Sequence, residues 1–375
     1  MKTTRIMVVI TLCFLFNIAN AQEILIAAQK QGKWGYIDTS GKFVIPAQFE
    51  EAYPFFKNTA VAKEKGLFGV IDTKGKWIVS PRKGAFNGDI NSNRIVLTND
   101  LGKWGAIDAT GKEKIPYEYD AMSTFQSGFV LAGRKTASAD LYSVVVLDTL
   151  GQAVISFDNI YLPAKSFSER KKVREGYASV LVDGTFQGLL SESSYKLDGR
   201  TLYFGLLDVK NKKLISAKVN SMDAEVREGR LNLSSDGIAY SWSVPLSSEP
   251  SPNDAKFKVL ANAIYSFSGG IAAIDKNGKW AYVDKDGSLL AETNLPTGDY
   301  VNENAMYFGG FVIFKKSNGA FIFTDLNGNQ KIALEFDAAN PFQYGFALVR
   351  FKGKWGLLQK DGSWAVPADF DDLRF

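Results

Sequence analysis

The phrase Gly32-Lys33-Trp34-Gly35-Tyr36-Ile37-Asp38-Thr39-Ser40-Gly41 recurs along almost the whole chain. Its pattern is glycine, lysine, aromatic, glycine, any residue, aliphatic, aspartate, two further residues and glycine. Near-perfect copies run from Gly66 to Gly75 and from Gly102 to Gly111, with later ones from Gly278 to Gly287, Gly319 to Gly328 and Gly353 to Gly362. In the last copy Gln359 stands where the others have Asp. Weaker copies keep Tyr142 to Asp148 with Gly151, and Tyr203-Phe204-Gly205-Leu206-Leu207-Asp208. A period of about 34 to 41 residues is the mark of a repeat array, in which each unit is too small to bury its own apolar face and must stack on its neighbours.

Each unit reads as a three-stranded antiparallel meander. The last one runs Gly345 to Phe351, a Lys352-Gly353 turn, Lys354 to Leu358, a Lys360-Asp361-Gly362 turn, then Ser363 to Pro367. Short strands rich in Val, Ile, Phe, Trp and Tyr between glycine turns are an all-β signature. In the D-x-x-G loop the aspartate can accept from its own downstream N–H groups, and the glycine takes the positive φ that closes the hairpin. Alternation places Trp34, Tyr36 and Asp38 on one face of the central strand and Gly35 and Ile37 on the other, so both faces are apolar, as in a strand held between neighbours. A glycine in mid-strand marks the close approach of something bulky; the expectation is an aromatic ring of the adjacent unit. Ile45-Pro46, Ser80-Pro81, Ile115-Pro116 and Val366-Pro367 are read as ends or protected edges of third strands. The connectors that follow, with Phe49, Tyr119, Phe336 and Phe370, are expected to be pinned to the core by their aromatic residue.

The fold expected is therefore a tandem array of about nine meander units. Because no strand is left over at either end to swap across a closure, an open curved solenoid is favoured, with a closed propeller-like ring as the alternative.

The G-K-W-G-x-I-D-x-x-G-K phrase, followed by I-P and an F/Y-D-x-A connector, resembles the WG-repeat family, and the chain is identified as a member on those residues. The resemblance covers Ile24 to about Val219 and Ile264 to the end, with departures at Ala281, Ala320 and Gln359. It implies a bacterial repeat protein of a class without a common enzymatic activity. More distantly, the hairpins are similar to the aromatic repeats of cell-wall-binding modules, which use shorter units. Residues 22–219 and 264–375 are read as two runs of such repeats. Residues 220–263 are read as a degenerate unit with a mobile loop from Ser247 to Asp254, or alternatively a linker.

Residues 1–21 read as a secretory signal peptide: Lys2 and Arg5, an apolar run from Ile6 to Phe16, then Ala19-Asn20-Ala21. The expected location is thus exported, whether periplasmic, cell-surface or secreted. No later stretch approaches the ~20 apolar residues of a membrane span. Cys13, the sole cysteine, follows Ile10-Thr11-Leu12, which lacks the small residue that lipoprotein processing wants; no lipid anchor is expected.

The chain has no histidine. With Cys13 in the leader, a Cys nucleophile, a Ser-His-Asp relay, a Cys/His zinc site and haem ligation by His or Cys are all excluded. A net charge of +4, two units of it in the leader, is too small a surplus for nucleic-acid binding. Trp34, Trp104, Trp280 and Trp355 are read as core rather than as stacking platforms for sugars. Asp38, Asp72, Asp108, Asp148, Asp208, Asp284 and Asp325 are read as turn formers rather than metal ligands or catalytic carboxylates. Asp284-Lys285-Asp286-Gly287 has the look of a calcium loop but lacks its downstream Glu. Lys33, Lys103, Lys279 and Lys354 are read as solvated hairpin lysines rather than a basic stripe. The S-x-x-K matches at Ser80, Ser168 and Ser193 lack the partner motifs of acyl-enzyme chemistry, and the mixed-sign run Glu169 to Glu175 reads as a solvated loop.

No catalytic, cofactor-binding or metal residue is assigned, no cofactor is expected, and the ligand-binding residues are unknown. The function expected is a non-enzymatic binding or scaffolding surface for a protein partner in the cell envelope. The alternatives are a module for carbohydrate or cell-wall polymer (an envelope polysaccharide) and, more distantly, a two-carboxylate glycoside hydrolase.

Overall fold

Strand alternation and glycine turns build the first unit. A computed structural model describes residues 24–137, 141–163, 175–183, 194–197, 200–216, 226–235, 237–245, 253–297 and 307–375. The leader, the Ser247–Pro252 part of the expected loop and most of the Glu169 to Glu175 run lie outside them. Strands β1 (Ile26–Lys30), β2 (Lys33–Ile37) and β3 (Phe43–Phe49) form an antiparallel meander. Gln31 and Gly32, both at positive φ (52° and 75°), make the two-residue turn between β1 and β2. The chain is all-β, with no helix among the described residues.

The expected two-faced burial is found. Trp34 and Tyr36 pack with Ile45 and Phe49 and, from the next unit, Ala52, Ala60, Ala62 and Ile71. On the opposite face Ile26, Ala28 and Ile37 pack against Leu348, Leu357, Val366, Phe370 and Leu373. Such cores between successive units are the main source of stability in an array held by burial.

One detail of the unit differs from expectation. Trp34 pairs with Phe49 and Tyr36 with Ile45, so β3 carries extra residues and bulges opposite Gly35. A Cβ on Gly35 would lie 2.4 Å from the carbonyl oxygen of Ile45 and 2.7 Å from the N of Ala47. The mid-strand glycine thus answers the bulged third strand of its own unit, not a ring of the neighbouring one. At Gly69 and Gly356 a ring does come close, but it belongs to Trp77 and Trp364 on the same unit's third strand. For Pro46 the protected-edge reading holds rather than the strand end: β3 runs through it to Phe49, with the proline in the bulge on the sheet's outer edge, where no ladder donor is needed.

The units are also larger than three strands. In the second unit β4 (Glu51–Ala52), cut from the connector, pairs with β5 (Thr59–Glu64), which pairs with β6 (Leu67–Asp72) and then β7 (Trp77–Arg82). Ala121–Met122, Ala263–Ile264 and Ala338–Ala339 play the part of β4 elsewhere. The connector aromatics behave as expected: Phe49, Tyr119, Phe336 and Phe370 are all buried. One sheet of eight strands, from Ala121–Met122 to Lys213–Ser216, runs through two units, and residues 226–260 hold a four-stranded sheet of their own. Nine units are thereby recognisable among the described residues.

The first unit also has a fourth strand, and it comes from the far end of the sequence. Asp372–Arg374 pairs antiparallel with β1, matching Ala27 to Arg374, Ala28 to Leu373 and Gln29 to Asp372. The expectation that no strand remains to cross between the two ends is therefore corrected: a three-residue strand does so, too short to have shown a period of its own.

Candidate interaction surface

The repeated aspartates are tied into their turns. Asp38 Oδ1 accepts from the N–H groups of Ser40 (2.8 Å) and Lys42 (3.1 Å). Asp72, Asp108, Asp148, Asp284 and Asp325 each accept from the equivalent two amides. Asp208 holds Asn211 in a variant of the turn. Where Gln359 breaks the phrase, Asp361 accepts from Ser363 instead. The Ser40 hydroxyl holds the Asp38 carboxyl below its ordinary range, and the Thr110 hydroxyl does the same for Asp108. At Asp284 the Ser288 amide has that effect, so the calcium-loop lookalike is an ordinary turn. No group of three or more acidic, His or Cys side chains suited to a metal ion occurs among the described residues.

The turn glycine has a second task that sequence reading missed. A Cβ on Gly41 would lie 2.9 Å from Val366, on Gly75 2.9 Å from Ile45, and on Gly111 3.0 Å from Val79. Each D-x-x-G turn thus sits on the third strand of the unit before it. The only available signal was the aliphatic residue preceding the prolines, one unit away.

Connector acids hold the central hairpin of the unit that comes after them, and two hairpin lysines reach the acid at the end of their own unit. Glu50 accepts from the Gly66 amide, Asp337 from Gly353 and Asp371 from Gly32. Lys103 pairs with Asp120 at 2.6 Å and Lys354 with Asp371 at 2.5 Å. Two of the four lysines read as solvated are therefore also ion-paired. Lys279 reaches Asn294. Such exposed pairs contribute little each, ~0–1 kcal/mol, but they fix register.

None of the seven tryptophans is exposed: Trp34, Trp242 and Trp280 are buried, while Trp77, Trp104, Trp355 and Trp364 are partly so. Arg374 lies 4.0 Å from the centroid of the Trp34 ring, and burial raises the Tyr36 hydroxyl well above its usual pKa while the hydroxyl donates to the Tyr53 carbonyl. An apolar cleft between the second and third units, lined by Val61, Val70, Val79, Ile95, Leu97 and Ile107, has about 10 Å³ of free space, too little for a ligand.

A different set of groups points outward. At three junctions the tip of one unit's first hairpin meets that of the next. Ser92 Oγ accepts from the Gly128 amide (3.2 Å). The Glu175 carboxylate accepts from the amides of Glu228 and Gly229, the latter at 2.8 Å. The Glu228 carboxylate accepts from Gly269 (2.6 Å) and Gly270 (2.8 Å), with the Lys285 ammonium 3.3 Å away. Burial pushes the Glu228 carboxyl up, but those two amides and Lys285 outweigh it and hold its pKa below the ordinary value. Ser80 and Lys83 of the S-x-x-K motif are on or beside the edge strand β7; Ser168, Lys171 and Ser193 of the other two matches lie outside the described residues.

The family described as WG containing repeat matches at residues 34–68, 68–82, 104–132, 262–280 and 323–355. No curated protein matches the chain. Among solved structures, BamB from Moraxella catarrhalis is similar at 14% identity, covering 82% of this chain and 90% of that one, with a TM-score of 0.36. Apo AztD from Citrobacter koseri is similar at 11% identity over 94% and 96% of the two chains, with a TM-score of 0.40. At such scores neither likeness carries an argument about this chain. No helix among the described residues is long and apolar enough to cross a membrane, which says nothing of strands.

Proposed function

This chain is a WG-repeat protein, and we propose that it is an exported, non-enzymatic scaffold that displays a binding surface to a protein partner in the cell envelope. We take its nine units to form a closed ring rather than an open solenoid. The ring is supported by the Asp372–Arg374 strand in the first sheet and by the shared core of the first and last units. Export is supported by the basic, apolar and small-residue regions of 1–21.

One observation carries the functional reading. The repeated phrase is used up in construction: its tryptophans pack, its aspartates close turns, its glycines admit a bulge or a neighbouring strand, and two of its lysines bridge to the connectors. What this construction leaves over in the regular units is the hairpin tips and outer edges, so recognition is assigned to the rim. A carbohydrate module of the stacking kind needs open aromatic faces, and covered tryptophans favour the protein partner over it.

The test is retention of partners from an envelope extract on the immobilised protein lacking residues 1–21, run beside a glycan array. Specific, salt-resistant retention of protein supports the proposal. Hits confined to the glycan array would transfer the assignment to the carbohydrate reading, and release of reducing sugar from any array glycan would transfer it to hydrolysis.

A further inference from the structure

The dipeptide Asn-Gly occurs four times in the chain, beginning at Asn87, Asn277, Asn318 and Asn327. It is a labile pair in water, because the glycine amide nitrogen, with no Cβ beside it, can attack the carbonyl carbon of the asparagine side chain. Three of the four are tied up. Asn87 Nδ2 donates to the Met122 carbonyl. The Gly319 and Gly328 amides donate to the carbonyls of Lys316 (2.8 Å) and Asp325 (3.1 Å), and a carbonyl is too weak a base to take the proton that the attacking nitrogen must lose. Asn318 Oδ1 is also engaged, by the Ala320 amide at 3.0 Å.

The fourth pair is placed differently. Asn277 and Gly278 are the two exposed residues of the turn between the strands Ile271–Lys276 and Lys279–Asp284, at φ 57° and 75°. Among the described residues nothing bonds to the Asn277 side chain, and a Cβ on Gly278 would have open space around it. The Gly278 amide donates to a carboxylate, Asp275 Oδ1, at 2.8 Å. In the equivalent turns Gln31-Gly32, Lys65-Gly66 and Lys352-Gly353 the glycine amide is held by a connector acid, and no asparagine precedes it. In this unit Asn262 stands in the connector acid's place, its backbone amide on the Asp275 carbonyl, so the acid comes from the turn's own strand. Asp275 is held toward the turn by Thr297, whose hydroxyl donates to Oδ2 at 3.0 Å, and by Asn262 Nδ2, 3.4 Å from Oδ1.

We propose that Asn277 is a self-modification site, converted without an enzyme to aspartate and isoaspartate, with Asp275 as the general base. The Gly278 nitrogen forms a bond to Asn277 Cγ while its proton passes to Asp275. The Cγ–Nδ2 bond then breaks, and the side-chain nitrogen leaves as ammonia, taking that proton with it. One water opens the resulting five-membered succinimide at either carbonyl, giving an aspartyl or an isoaspartyl residue. A base within about 2.6–3.2 Å of the group whose proton it takes meets the geometric requirement for this role. Each event adds one negative charge to an exposed tip. The isoaspartyl form also lengthens the backbone by one carbon, so a two-residue turn no longer fits between the strands. None of this depends on what the rim binds.

The test is incubation of the purified protein at pH 6, 7 and 8, followed by digestion and mass spectrometry of the four Asn-Gly peptides. Asn277 is expected to be converted first. The logarithm of its rate should climb with pH less steeply than the unit slope of a reaction driven by hydroxide, because Asp275 supplies the base at every pH. Asp275→Asn should slow conversion about tenfold or more at pH 6 and restore the unit slope. In urea, where the turn no longer holds the carboxylate in place, the same substitution should change nothing. The slope is read on the unmodified protein, so the site is tested even where Asp275→Asn folds poorly. Conversion of another Asn-Gly pair ahead of Asn277, a unit slope in the unmodified protein, or an equal rate in folded Asp275→Asn would each overturn the site.

Discussion

Two junctions between units can be compared directly: the one from the first unit to the second, where the chain is continuous, and the one from the last unit to the first, where it is not. In the first, Phe49 meets Trp77 edge to face (centroids 5.7 Å apart), Ile45 receives the Gly75 turn, and Glu50 holds the Gly66 amide. In the second, Phe370 meets Phe43 edge to face (6.0 Å), Val366 receives the Gly41 turn, and Asp371 holds the Gly32 amide. These three contacts are the same in kind, and the second junction adds a Lys30–Asp369 ion pair where the first has Lys63–Glu51. A covalent connector therefore adds nothing to how units recognise one another; it only raises the effective concentration of the next unit.

That equivalence can be broken most severely by removing residues 369–375. The first sheet loses its fourth strand and the shared core loses Phe370 and Leu373, both buried; at ~1.5–3 kcal/mol for each side chain the loss is about 5 kcal/mol. A large fall in denaturation midpoint and rapid exchange of the β1 amides should be seen by hydrogen exchange, and a truncated protein as stable as the parent would refute the equivalence. Next comes Trp34→Ala, which opens a cavity at the first junction and takes away the ring under Arg374; ~3–5 kcal/mol is expected in urea titrations. Gly35→Val follows, at ~1–3 kcal/mol or somewhat more, because the new side chain collides with the backbone of β3; an unchanged melting midpoint would show that the bulge yields freely.

Acid should act on the junction of the last unit with the first and on the turn of the third unit. Asp38, Asp108 and Asp371 have carboxyls held below their ordinary values, through Ser40, Thr110 and Lys354 respectively. The unfolded chain then binds more protons than the folded one below about pH 4, so their contribution is whole above that value and disappears as pH falls through the lower folded-state pKa values. Melting midpoints from pH 6 to 2 should decline mainly below pH 4, and Asp108→Asn should flatten that decline. The smallest effect is reserved for a circular permutant with Phe375 joined to Ile24 through a short flexible linker and new ends in the connector between the second and third units. If junctions are interchangeable it should melt within a few degrees of the parent, and a collapse of stability would reveal that the connector at the new ends matters.

Much of this was legible in the residues. The G-K-aromatic-G run gave the two-residue turn and the strand after it, the D-x-x-G loops gave their hydrogen bonds, and the connector aromatics gave their burial, because each is a local pattern with a local cause. What could not be read depends on pairing across the sheet. A two-residue strand such as Glu51–Ala52 has no period to detect. The reason for Gly35 lies in the register of β3, which slips between Trp34 and Tyr36. Asp372–Arg374 acquires its meaning only from a partner far away in sequence. The relay of glutamates through the hairpin tips was equally hidden, since Glu175 and Glu228 are separated by 53 residues and lie in stretches where the repeat is hard to follow.

The distance between β1 and its outer partner also bears on how such a chain comes into being. Contacts across that seam join positions 339 apart, so a ribosome working at ~5–20 residues per second needs on the order of 20 to 70 seconds to deliver the second half of the seam after the first. For that interval β1 presents an open row of amides and carbonyls, the very template on which nascent chains stick to one another. Crowded translation should therefore punish this protein through its earliest strand, and a holdase that shields the amino-terminal hairpin until synthesis has passed the last unit would raise its yield.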